Sequence, residues 1–65
     1  MDFSDAIKSI INSKKVARKS WKDKRIYCLL KEELLQIHKA GEKEDETHVW
    51  IVNEWDMIAD DWYEL

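Results

Sequence analysis

The 65-residue sequence predicts a single α+β domain, an N-terminal helix packed on a small antiparallel β-sheet and assembled as an oligomer. Three observations carry this. An amphipathic stripe opens the chain and then gives way to short β-prone runs separated by polar turns. There is no proline, no repeat and no linker-like segment, so the chain divides nowhere. Four tryptophans are more than the core of so short a chain can hide, and such a chain buries only ~60% of its unfolded surface. Small domains compensate with disulfides, metals or self-association. Cys28 is the only cysteine, and His38 and His48 have no cysteine pair beside them, which leaves association as the expected device.

Residues 3–12 read as the helix. Phe3, Ala6, Ile7, Ile10 and Ile11 form one apolar stripe, with Asp2 as N-cap and Asp5 as an acid in the first turn; all four large apolar members are expected in the core. Asn12 and Ser13 end it in a turn. A short strand is expected at 15–18, a polar loop around Trp21 at 19–24, and a strand at 25–31 that is apolar on both faces. One face would meet the helix and the other, most economically, a second subunit. Residues 33–39 suit either a helix or a strand; a strand in a hairpin with 25–31 is the preferred reading. Gly41 and a charge run mark 40–47 as a loop. A third strand is expected at 48–52, a helical turn from Asp56 to Asp60 with Asp56 as its N-cap, and a closing strand from Trp62 to Leu65.

The net charge of −3 conceals an asymmetry. Lys14, Lys15, Arg18, Lys19, Lys22, Lys24 and Arg25 stand against Asp23 alone, whereas residues 42–64 carry nine acids against Lys43. Two mutually attracting solvated faces account for this, and so does a local cationic site for an anionic ligand. Net acidity argues against general nucleic-acid binding. A lone free cysteine points to a reducing compartment, and no apolar leader or membrane-length stretch is evident, so a cytoplasmic protein is expected.

Catalytic chemistry has little to stand on. One glycine cannot build a phosphate loop. Cys28 sits in an apolar strand, where a thiol behaves as a small hydrophobe. Neither histidine suggests a triad, and Asp60 and Asp61, being adjacent, point in different directions. The expectation is a binding protein, not an enzyme, with neither cofactor nor metal.

The residues suited to binding are Arg18, Trp21, Tyr27, Trp50, Asn53 and Asp56. Indoles stack on nucleobases, a guanidinium matches phosphate, and an amide with a carboxylate suits ribose hydroxyls or base edges. Each has a plainer reading: interface packing for Trp21, core for Trp50 and Tyr27, a salt bridge for Arg18 and a helix cap for Asp56. Trp62 and Asp61 read as structural.

Four blocks carry a family resemblance: the opening Met1-Asp2-Phe3-Ser4-Asp5-Ala6, Val16-Ala17-Arg18-Lys19-Ser20-Trp21, Trp50-Ile51-Val52-Asn53-Glu54-Trp55-Asp56, and Asp56-Met57-Ile58-Ala59-Asp60-Asp61-Trp62. In order and spacing they resemble the second type of phage Thoeris anti-defence protein, over about half the chain and both ends. Ser20 replaces the family's glycine, and the chain is short between residues 31 and 48. The resemblance implies a homodimer or homotetramer that sequesters cyclic ADP-ribose isomers without cleaving them, with Trp21 and Trp50 stacking and Asn53 and Asp56 as polar contacts. Some relatives also hold cyclic oligonucleotides of CBASS defence. One branch inhibits a CRISPR nuclease, so the alternative expectation is a protein-binding inhibitor of a defence nuclease.

Overall fold

The computed structural model describes all 65 residues. In chain order the elements are α1 (Phe3–Ile11), β1 (Val16–Arg18), β2 (Tyr27–Lys31), β3 (Leu34–His38), β4 (His48–Val49), α2 (Glu54–Ile58) and β5 (Trp62–Glu64). The strands form one sheet in the order β4-β3-β2-β1-β5, antiparallel at every pairing. The α+β class is as expected.

Register explains the core. Val16 pairs with Cys28, and Cys28 with Ile37, so three apolar side chains form a row on one face of adjacent strands. Ala6 and Ile10 of α1 are fully buried in a cluster with Val16, Cys28, Trp50 and Trp62, and Phe3 and Ile7 pack against it. Asp2 caps α1 by accepting the Asp5 N–H at 2.9 Å. Ile11 departs from expectation. It lies 64% exposed, because the buried stripe narrows to Ala6 and Ile10 and the last turn runs past the sheet.

Residues 33–39 resolve as strand, with β3 pairing β2 from Tyr27↔His38 to Lys31↔Leu34. The two-residue turn between them puts Glu32 and Glu33 at φ 55° and 66°. Those are the left-handed values a type I′ hairpin demands and that glycine or asparagine usually supplies.

The third strand is shorter than its apolar run. β4 ends at Val49, after which the chain leaves the sheet, keeping the bond from the Trp50 N–H to the Leu35 carbonyl at 3.0 Å. The cause is Trp50. Its indole turns inward and meets Phe3 and Trp62 edge-on, with centroids 6.1 and 5.7 Å apart. The helical turn also starts earlier than expected. Asn53, not Asp56, is the N-cap: the Asp56 N–H donates to Asn53 Oδ1 at 2.9 Å, and the Asn53 N–H donates back to Asp56 Oδ2 at 3.5 Å. This reciprocal capping box gives Asp56 the N3 position.

The chain end closes the sheet. β5 pairs with β1 from Arg18↔Trp62 to Val16↔Glu64, and Trp62 is 1% exposed at the centre of the aromatic cluster. Its indole N–H donates to the Asp56 carbonyl at 3.1 Å, so the largest core side chain also fixes α2. No helix is long and apolar enough to cross a membrane.

Candidate functional site

An open groove of about 350 Å³ lies where β3, β4 and the segment leading into α2 meet, lined by Trp21, Ile37, Lys39, Val49, Trp50, Ile51, Asn53 and Asp56. Four of the six sequence-derived candidates, Trp21, Trp50, Asn53 and Asp56, come together there although they are spread over 36 positions of sequence. Lys39 was missed. It closes the 33–39 segment, which suits helix or strand in the sequence, and only the strand form puts it on the same face as Ile37 two residues earlier.

The first wall is Trp21. Its loop is closed by the Trp21 N–H donating to the Arg18 carbonyl at 3.1 Å, and is tied down by Asp61, whose Oδ2 accepts the Ser20 N–H at 3.0 Å. The Lys19 N–H donates to the Asp61 carbonyl at 3.0 Å. Ser20 is absent from the positive-φ residues, so nothing in this backbone requires glycine there. Trp21 is half-buried and meets Trp62 edge-on at 5.5 Å. Stacking and interface packing are both open for Trp21 in the sequence; in the structure one part of the ring leans on the core of its own chain and another lines the groove.

The second wall is the 50–56 segment. Trp50 is buried and contributes little more than an edge. Asp56 is buried too, and both its oxygens are engaged, Oδ2 in the capping box and Oδ1 with Arg18 at 3.5 Å. The Asn53 amide nitrogen has no internal partner and is the polar donor available at the rim.

Arg18 and Tyr27 do not line this groove. The Arg18 guanidinium donates to Asp61 at 2.9 Å and contacts Asp56, so the salt-bridge reading describes it. Its two ion pairs are also the side-chain salt bridges that link the basic segment to the acidic half. Tyr27 lies in a separate charged groove of about 520 Å³ with Lys15, Lys24, Arg25, His38, Glu42, Glu44 and Leu65. Its ring stacks on His38 at 4.7 Å and carries the Lys15 ammonium 4.8 Å from its centroid, leaving little face for a base. His38, buried, reaches the Arg25 carbonyl at 2.8 Å and the Lys43 carbonyl at 3.0 Å, and so holds the 40–47 loop against the sheet.

Hydrogen bonding from Arg18 and Ser20 holds the Asp61 carboxyl at about 2, below its ordinary 3.8. The folded state therefore favours the ionised form. The contribution is complete above about pH 4 and is lost as the pH falls through 2. The melting temperature is expected to drop over that window in the wild type. Asp61→Asn should start lower at neutral pH and fall less steeply. Asp23 is lowered to about 2 by Arg25 and titrates in the same range, but that surface pair adds little. Burial pushes the Cys28 thiol up to about 12, so it carries no thiolate at neutral pH.

The sequence matches no curated protein. Five of the eight groove-lining residues, Trp21, Trp50, Ile51, Asn53 and Asp56, nevertheless fall in the second and third of the four sequence blocks, and the fourth supplies Trp62 behind them. A model of the Tad2-like domain, described as the Thoeris anti-defense 2-like domain, matches residues 1–65, the whole chain, and the protein belongs to that family.

Proposed function

We propose that this anti-defence protein acts by binding a cyclic nucleotide signal in the groove between Trp21 and the 50–56 segment and withholding it intact from the defence effector. Membership of the Thoeris anti-defense 2-like family supports the anti-defence role. The observation that carries the finer reading is the groove itself: an exposed part of an indole, apolar lining from Ile37, Val49 and Ile51, and polar groups from Asn53 and Lys39. Aromatic surface beside donors and one cation suits a base joined to a phosphate. At about 350 Å³ it stands near the small end of ligand sites, which span ~300–1,000 Å³. A cyclic ADP-ribose isomer or cyclic dinucleotide would project beyond it, and a second copy in a homodimer or homotetramer would cover the rest. Light scattering at micromolar concentration should then show a dimer or larger, and a monomer of 7.9 kDa would remove the covering subunit.

The engagement or burial of the reactive groups nearest the groove supports binding without cleavage. Asp56 is tied to Arg18 and the capping box, and Cys28 is buried as a thiol. Binding without turnover, in the cytoplasm of the infected cell, is the mode proposed. Thermal shift against cyclic ADP-ribose isomers and cyclic oligonucleotides tests it: a nucleotide-dependent rise in melting temperature supports the reading, and no rise with any of them opposes it.

One observation favours a second reading. Ile51, Trp55 and Ile58 are 85%, 66% and 72% exposed around α2, an apolar surface suited to a protein partner such as a defence nuclease. Trp55→Ala distinguishes the two. It should abolish a co-purifying protein complex under the second reading and leave nucleotide affinity unchanged under the first.

A further inference from the structure

We propose that Lys39, and not Arg18, is the residue that selects an anionic ligand in the groove, by contacting a phosphodiester or pyrophosphate group of the bound nucleotide. This rests on reading the groove as the nucleotide site and names the part of it that recognises charge.

Lys39 and Asp56 are the charged residues of the groove lining. The Asp56 carboxylate is matched internally by Arg18 and by the Asn53 N–H. Lys39 forms no ion pair, so the uncompensated charge at the groove is positive. Other cations are engaged elsewhere, and Lys14, Lys19 and Lys22, which form no ion pair, are outside the groove lining. Arg18 is held between Asp61 and Asp56, Arg25 is paired with Asp23, and Lys15 and Lys24 lie over the rings of Tyr27 and Tyr63.

The backbone positions Lys39 without restraining its side chain. It follows directly on β3, two residues after Ile37, so strand alternation places both on the groove side. Its N–H donates to Glu42 Oε1 at 2.6 Å, and Glu42 is in turn paired with His48 of β4. The ammonium is therefore carried on a fixed Cα and an exposed, unpaired stem. A lysine in that setting supplies a point charge that can reach a phosphate at the groove mouth while the base meets Trp21. Placing charge selection on Lys39 also separates it from folding, because Arg18 links strands and loop whereas the Lys39 side chain links nothing.

The test is a charge series, Lys39→Arg, Lys39→Gln and Lys39→Glu, titrated with cyclic ADP-ribose isomers and cyclic dinucleotides at low and high sodium chloride. Melting temperatures are measured in parallel. Affinity should stay within about threefold of wild type for Lys39→Arg, fall roughly tenfold for Lys39→Gln and further for Lys39→Glu, on the scale of one charge-assisted hydrogen bond. The salt dependence of binding should flatten in Lys39→Gln, with melting temperatures unchanged. If the wild type binds a probe and Lys39→Glu binds it equally well, the groove reading survives and the assignment of Lys39 is overturned. If affinity falls only in step with melting temperature, the assignment is overturned as well, because the role is then structural. A wild type that binds no probe overturns the groove reading and this inference with it.

Discussion

Trp62→Ala is expected to leave the chain largely unfolded at room temperature. The indole is the hub of the fold, edge-on to Trp21 at 5.5 Å and Trp50 at 5.7 Å, tilted against Phe3 at 5.9 Å, and 1% exposed. Removing it deletes a large buried side chain, at about 3–5 kcal/mol, and leaves the Asp56 carbonyl without the indole N–H that satisfies it. A chain of this length has roughly 3–10 kcal/mol of total stability, so this one change consumes most of it. Trp62→Phe should cost less, because ring packing survives and only the hydrogen bond and part of the volume go. Urea unfolding followed by circular dichroism distinguishes the two. A Trp62→Ala variant that unfolds at the wild-type urea midpoint would mean that the aromatic cluster does not hold the core.

Trp21→Ala is expected to have the largest effect on binding, a loss of ~1–3 kcal/mol in nucleotide affinity, as for removal of one base-stacking aromatic. It will not be silent in stability. The edge-on contact with Trp62 is worth ~0.5–1.5 kcal/mol, so a modest fall in melting temperature accompanies it. Trp21→Phe separates the effects by keeping most of the core contact while reducing the stacking surface. Affinity and melting temperature measured on both variants decide the matter. Loss of binding in Trp21→Ala beyond what its stability change explains supports the groove, whereas unaltered affinity in a folded variant places the nucleotide elsewhere.

The two predictions mark where the sequence was informative. Apolar periodicity and caps identified α1, β1, β2 and β5, because each follows a local rule that its surroundings do not override. The hairpin turn at Glu32 and Glu33 was illegible, since left-handed backbone there is imposed by strand pairing on residues that do not favour it. The 48–52 run looked like a full strand because Val49, Ile51 and Val52 are β-prone. What ends it is tertiary, the pull of Trp50 into the Phe3–Trp62 cluster.

Asn53 and Asp56 show how one pattern serves two purposes. A capping residue followed three positions later by an acid is a helix-start signal, and the structure uses it as one, while both residues also line the groove. Arg18 is the reverse case. Its residue type suits phosphate, but the partner that engages it lies 43 positions away, and no local pattern could reveal that. Lys39 escaped notice for a related reason: a lysine at the end of an ambiguous segment stands beside an indole from another loop only once that segment pairs as a strand.

The most direct measurement of the central claim is calorimetric titration of the purified protein with cyclic ADP-ribose isomers and cyclic dinucleotides, followed by heat denaturation and chromatography of the released ligand. Saturable binding of at least one of them, with the ligand recovered chemically unchanged after prolonged incubation, is the predicted result. Absence of binding across both classes, or recovery of a cleaved product, would contradict it.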